Sequence, residues 1–269
     1  MRATESLRPE GSRVLDDPYA RGFLSVFGRT QLSLGNLPIH PSVNHFVVCR
    51  HRFMDDALGQ ALDHPAADEP PLAQVVVLGA GYDSRAYRFA DRLAGIKVFE
   101  VDHPATAARK RSILAKRQDV PTVDIEYVTI DFQTQQLDER LLSAGFQKGA
   151  RTFFFWEGVS MYLRRDAVKA TLQTLAELGG PGSDLTMDYW FYLDHPSVSA
   201  TAMRLSAGFL HLLAEPILFS MHPEDCPDFM RKNGWAVAAI GTAKELERRY
   251  LPDGRRVYPA GYVVAAKKA

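Results

Sequence analysis

The chain has 269 residues, 46% of them hydrophobic, with Lys+Arg and Asp+Glu balanced at 32 each. That length suits one large α/β domain with added helices, and the balanced charge leaves no general basic field for nucleic acid. Two distant cysteines, Cys49 and Cys226, no signal-type N-terminus and no run near the ~18 apolar residues of a membrane helix lead to the expectation of a cytoplasmic protein without a membrane partner.

In chain order, residues 12–64 read as helical. Val14, Leu15, Tyr19, Phe23, Leu24 and Phe27 recur at helical spacing, as do Phe46, Val47, Phe53, Met54, Ala57, Leu58 and Leu62. Gly35-Asn-Leu-Pro38 separates the two runs, and residues 64–72 form a linker. Strand and helix patterns then alternate. Strands are predicted at 74–79, 96–101, 125–130, 151–157 and 183–190, and helices at 84–93, 104–118, 134–145 and 164–178. This alternation implies a parallel sheet covered on both faces. Continuous apolar runs such as Val75-Val-Val-Leu78 and Thr152-Phe-Phe-Phe-Trp156 fit burial on both sides. Residues 191–225 are aromatic and apolar and are expected to form helices outside the sheet. A short helix is predicted at 226–233. Two closing strands follow, Gly234–Ile240 and Val257–Val264. The connection between them leaves little room for a crossover helix, so an antiparallel final pair is expected.

The chemistry concentrates where the first strand meets Gly79-Ala-Gly81 and the second ends on Glu100-Val-Asp102. A strand, a glycine turn, a helix and a downstream acid make a nucleoside-binding pattern: glycines admit the ligand close to the backbone and the acid takes the ribose hydroxyls. The dinucleotide fingerprint asks for a third glycine at position 84, where this chain has Ser84 followed by Arg85. S-adenosylmethionine carries no pyrophosphate and makes no such demand. A nicotinamide dinucleotide stays open as the alternative. Of Glu100 and Asp102, one is expected to face the ligand and the other to cap the next helix. Asp131 sits where an acid could hold the adenine amino group. Glu157 ends an aromatic strand, where a charge is costly unless it is paired. His40, His45 and His51 fit no compact ligand set, so no metal is expected.

These residues make the chain resemble the leucine carboxyl methyltransferase-like family, in particular its bacterial branch of polyketide O-methyltransferases. The resemblance rests on Leu78-Gly-Ala-Gly-Tyr-Asp-Ser-Arg-Ala-Tyr-Arg88, Val98-Phe-Glu-Val-Asp-His-Pro104, Asp131-Phe132 and Phe155-Trp-Glu-Gly-Val-Ser-Met-Tyr-Leu163. Leu15-Asp-Asp-Pro-Tyr-Ala20 and Arg50-His-Arg-Phe-Met-Asp-Asp56 add to it. It implies an α/β, Rossmann-like class I methyltransferase fold. That fold has a seven-stranded, mostly parallel sheet with an antiparallel last strand, N-terminal helices and a helical lid. Residues 1–72 would form a helical extension covering the cofactor, and 73–269 the methyltransferase domain with its lid at about 191–225.

By the same resemblance, Gly79, Ala80 and Gly81 would lie beside the methionine part of the donor. Asp102 would hold the ribose, Asp131 and Phe132 the adenine, and Glu157 the amino group. Arg50 would pair with the donor carboxylate, with Arg52 and Arg13 as competitors for that role.

Methyl transfer is an in-line displacement on an already activated electrophile, so the protein must align the nucleophile and exclude water. A carboxylate needs no base, whereas a phenol with a pKa near ~10 gains from one, for which His195 and His222 are the candidates. The apolar segments Trp190-Phe-Tyr192 and Phe209–Leu213 favour a bulky aromatic or polyketide-type acceptor of secondary metabolism, with Tyr162, Trp190, Tyr192 and His211 as candidate contacts. The expectation is therefore O-methylation of a small molecule by a monomer or homodimer. Methylation of a protein C-terminus, dinucleotide-dependent oxidoreduction and non-catalytic donor binding are the alternatives.

Overall fold

The structure, a computed structural model, describes residues 1–25, 41–63, 69–131, 135–191 and 218–269. Seven strands form one sheet: β1 (Gln74–Leu78), β2 (Lys97–Asp102), β3 (Ile125–Thr129), β4 (Thr152–Trp156), β5 (Asp184–Trp190), β6 (Trp235–Gly241) and β7 (Gly261–Lys268). Their order is β3-β2-β1-β4-β5-β7-β6. The first five strands pair in parallel, and β7 runs antiparallel to both β5 and β6. The helices are α1 (Arg2–Glu5), α2 (Pro41–Asp63), α3 (Arg85–Arg88), α4 (Pro104–Leu114), α5 (Leu137–Ser143), α6 (Arg165–Leu178), α7 (Cys226–Lys232) and α8 (Ala243–Tyr250).

Alternation along the strands divides the core in two. Val75 and Val77 of β1, with Phe153 and Phe155 of β4, meet Phe46, Phe53, Met54 and Leu58 of α2 on one face. Val76, Leu78, Phe154 and Trp156 point the other way, against Leu172 and Leu175 of α6 and Met230 of α7. Both faces of the central strands are therefore dry, as their continuous apolar runs require.

The N-terminal segment departs from the helical expectation. Residues 13–25 are extended chain and turns, preceded by a 3-10 turn at Glu10–Ser12 and by α1. Pro18 disfavours a helical Asp17. The buried Asp17 carboxylate instead accepts from the N–H groups of Tyr19 (3.0 Å) and Ala20 (3.1 Å), which fixes a turn. Val14, Leu15, Tyr19 and Phe23 are buried all the same. The last strand begins four residues later than predicted. Pro259 has no N–H for the ladder, and Tyr258 leaves the sheet to pack on Trp190, ring centroids 5.9 Å apart. The connection before it holds α8, a helix the sequence reading did not foresee, yet the β6–β7 pairing is antiparallel as expected.

Among the described residues, no helix is long and apolar enough to cross a membrane. Phe132, Tyr192, His195 and His211, with most of the expected lid, lie outside the described residues, as does His40.

Candidate active site

The sheet order reverses between β2 and β4, on either side of β1, and a crevice opens there at the carboxyl ends of the strands. Gly79 and Gly81 both adopt left-handed backbone, φ 61° and 47°, which only glycine takes without strain. Ala80 N–H donates to the Val101 carbonyl (3.1 Å), pinning the turn to β2. A Cβ on Gly79 would come within 2.6 Å of Val159, whereas one on Gly81 would meet nothing nearer than 3.7 Å. Gly79 thus permits close packing, and Gly81 leaves open space at the wall of a cavity of about 190 Å³. Arg2, Arg50, His51, Ala80, Asp83 and Glu157 join the two glycines in lining it.

Asp102 ends β2 with one carboxylate oxygen accepting from Gly81 N–H and the other from His103 N–H (2.6 Å). Glu100 shares its strand face, two residues deeper. It is buried against Lys110 Nζ at 2.7 Å and does not cap α4, whose N-cap is His103. Asp131 follows β3 beside Asp102: Ile130 N–H donates to the Asp102 carbonyl (3.0 Å), and Asp131 is exposed at the crevice edge.

Glu157 follows β4 and reaches the cavity from the other side. Its Oε1 accepts from Arg50 Nε (3.0 Å), and its Oε2 accepts from Arg85 Nη2 (2.7 Å) with His51 Nδ1 at 2.9 Å. Burial alone would raise this carboxyl; His51 beside it, and then the Arg85 and Arg50 charges, outweigh that and hold Glu157 well below the usual carboxylate range. Arg50 is anchored from behind by Asp188 of β5, Nη1 to Oδ2 at 2.7 Å. Asp188 is fully buried and also accepts from Gly158 N–H (2.6 Å) and the Trp190 indole N–H (3.0 Å). Arg85 is 1% exposed and donates to Asp55, Asp83 and Glu157, while Arg88 grips Asp55 at 2.6 and 3.0 Å.

His51, Asp83 and Glu157 bring ligand-type atoms within 4.8 Å of one another. The Arg85 guanidinium already bonds both carboxylates and lies 2.8 Å from the imidazole, so the cation of this cluster is the protein's own.

The three arginines of the sequence reading separate cleanly. Arg50 lines the cavity. Arg52 points away, to Asp56 (2.7 Å) and the Val14 carbonyl (2.9 Å). Arg13 pairs with Asp16 at 3.1 Å, outside the cavity lining. The second basic residue at the cavity is Arg2, which was not anticipated. Its Nη1 bonds Asp17 (2.7 Å) and its Nη2 the Tyr82 carbonyl (2.6 Å), so α1 lies across the glycine loop. Nothing local in Met1-Arg-Ala-Thr marks that role. Asp188 did leave a signal: a lone acid within the apolar strand Leu185-Thr-Met-Asp-Tyr-Trp190 must have a partner.

Trp190 is buried between Phe46 and Tyr258, a core position in place of the expected acceptor contact. Tyr162 is 40% exposed at the end of a 3-10 turn. His222 stands beside Phe191, ring centroids 5.3 Å apart, and does not line the glycine-loop cavity.

The profile of the family described as leucine carboxyl methyltransferase matches residues 1–176. A protein of Parafrankia sp. (strain EAN1pec) named "Putative S-adenosyl-L-methionine-dependent methyltransferase" is 34% identical over 100% of this chain and 84% of its own length. One of the same description from Frankia alni (strain DSM 45986 / CECT 9034 / ACN14a) is 30% identical over 100% of this chain and 91% of its own. Among solved structures, magnesium protoporphyrin IX methyltransferase from Synechocystis PCC 6803 with bound SAH superposes with a TM-score of 0.53 at 14% identity. It covers 94% of this chain and 100% of that one, a likeness of fold. The fold is that of a class I, Rossmann-like methyltransferase using S-adenosyl-L-methionine. The chain belongs to the leucine carboxyl methyltransferase family.

Proposed function

We propose that the enzyme transfers the methyl group to a carboxylate oxygen of a small, aromatic or polyketide-type acceptor. The donor's amino-acid part is a zwitterion, and the cavity offers both complements: Arg2 and Arg50 for the carboxylate, Glu157 for the ammonium. Gly79, Ala80 and Gly81 admit that part to the backbone. Asp102 holds the ribose and Asp131 the adenine edge, with residues 1–72 covering the donor through Arg2. When bound, S-adenosylmethionine supplies a methyl group on a positive sulfur; the chain's residues hold the donor and exclude water.

One observation carries the choice of acceptor. Each proton-accepting side chain that the described residues bring to the cavity lies against an arginine: Asp83 on Arg85, Glu157 on Arg50 and Arg85, His51 on Arg88. Among the described residues none is then left at this cavity to take a proton from a phenol, whereas a carboxylate arrives ionised and needs no base. The family description, leucine carboxyl methyltransferase, supports the same oxygen nucleophile and brings a peptide C-terminus in as a second acceptor.

The test is incubation with methyl-labelled donor and a panel of aromatic acids, phenols and C-terminal peptides, followed by mild alkali. A methyl ester releases labelled methanol. Alkali-stable label on a phenol would overturn the carboxylate reading, and label on peptides alone would replace the small-molecule acceptor.

A further inference from the structure

His51 follows Arg50 directly on α2, is 2% exposed and has no contact assigned to the donor. Its surroundings fix its protonation. Arg88 Nη2, 2.9 Å from Nε2, can only donate, so Nε2 must accept. The ring proton is then on Nδ1, directed at Glu157 Oε2 2.9 Å away. Arg85 Nη2 also lies 2.8 Å from Nδ1, but its two hydrogens go to Glu157 Oε2 and the His51 carbonyl (3.3 Å). The opposite tautomer would turn an Nε2 proton toward Arg88, with Asp55 too distant at 4.0 Å to receive it.

The groups facing His51 are Arg50 and Asp55 from α2, Asp83, Arg85 and Arg88 from the loop and α3, and Glu157 after β4. Asp188 on β5 completes the ion-pair set. Three arginines (Arg50, Arg85, Arg88) thus oppose four carboxylates (Asp55, Asp83, Glu157, Asp188). With His51 neutral, the cluster keeps one uncompensated negative charge. Glu157 Oε2 already has two donors while Oε1 has one, so the spare acceptor capacity is on Oε1.

We propose that His51 is a positioning residue. As the neutral Nδ1–H imidazole it holds Glu157 for the ammonium of the methyl donor, and donor binding and protonation of His51 exclude each other. A protonated His51 would set a second N–H against Arg88 and cancel the charge that the ammonium satisfies. Burial, and then the Arg85 charge, already hold the imidazole below its ordinary value against the pull of Glu157 and Asp55. This inference rests on the reading of Glu157 as the ammonium site.

The experiment is calorimetric titration with S-adenosylhomocysteine from pH 5 to 8, in buffers of different ionisation enthalpy. The control ligand is 5′-methylthioadenosine, which has the nucleoside but no amino acid. Below the pH at which His51 protonates in the free protein, the wild type is expected to lose affinity for S-adenosylhomocysteine, approaching tenfold per pH unit, and to release up to one proton on binding; above it the affinity is expected to stay level with no proton released. The control is expected to stay level, which excludes titration around Asp102. His51→Asn keeps an amide N–H near the Nδ1 position but does not titrate. It is expected to bind more weakly at pH 7.5 and to show no acid loss. A level wild-type profile, or an acid loss that survives in His51→Asn, overturns the proposal. If the variant fails to fold, the wild-type series decides alone. Undiminished affinity in Glu157→Gln would instead remove the ammonium site itself, a different failure with a different readout.

Discussion

Gly79 and Gly81 have similar backbone angles but different neighbours, so the same substitution should act on different properties. Alanine at either site takes on left-handed strain of about 1–2 kcal/mol, offset by about 0.5–1 kcal/mol from the stiffer unfolded chain. At Gly81 nothing further is added, because its Cβ meets no atom nearer than 3.7 Å. At Gly79 the Cβ would lie 2.6 Å from a Val159 methyl in a packed wall, which adds about 1–3 kcal/mol of overpacking. Gly79→Ala is therefore expected to destabilise by about 2–4 kcal/mol and Gly81→Ala by about 0.5–1 kcal/mol. With roughly 2 °C of Tm per kcal/mol at this chain length, the Tm losses are about 4–8 °C and about 1–2 °C.

Donor affinity should rank the other way. The Gly81→Ala methyl fills open space at the cavity wall, and a loss of at least about tenfold, or about 1.4 kcal/mol, is expected. Differential scanning calorimetry without ligand and isothermal titration with S-adenosylmethionine give both numbers. Equal Tm losses would refute the packing argument, and wild-type donor affinity in Gly81→Ala would refute the placement of the donor beside the glycine loop.

Three further outcomes follow from the same geometry. Asp188→Asn turns an amide N–H toward one of the groups now donating to the carboxylate and leaves Arg50 short of charge. A loss of about 3 kcal/mol in urea unfolding is expected, with weaker donor binding; an unchanged urea midpoint would mean that Asp188 does not neutralise Arg50. Asp102→Asn should abolish measurable donor binding with little loss of Tm, since its partners are two backbone N–H groups at a solvent-reached strand end; retained affinity would exclude Asp102 from the ribose contact. Stability should also fall in acid. Asp55, Asp83 and Glu157 have folded pKa values below their ordinary 3.8, 3.8 and 4.5. Their contribution is therefore present above about pH 4.5 and lost as pH drops through the folded values. Arg85→Met should flatten that acid limb of urea midpoints between pH 3 and 7, and an unaltered slope would remove Arg85 as its origin.

The order of strands and helices was legible because it depends on local pattern. Val75-Val-Val-Leu78 can satisfy its backbone and bury both faces only as a central strand, and two glycines after it specify a tight turn. The acid at Asp102 follows from the same strand–turn–helix context. Where a local rule met a stronger one, the reading slipped. The helical spacing from Val14 to Phe23 is a burial pattern that Asp17-Pro18 bends into turns, and Pro259 delays the final strand.

Composition and pattern alone thus determined an α/β class with a parallel sheet and the position of the crevice, while the kind of donor needed the family resemblance, because the glycine loop by itself left a dinucleotide open. Tertiary structure decided which charges meet there. Arg50 and Arg52 stand about 200° apart around a helix, so one must face the site when the other does not. Which one depends on how α2 packs against the sheet, through Phe46, Phe53 and Met54. Arg2 reaches the glycine loop because Asp17 holds it there, and His51 faces Glu157 across 106 positions of chain. Pairings at such separations leave no periodic trace, because their strength comes from being brought together in a place that water has left.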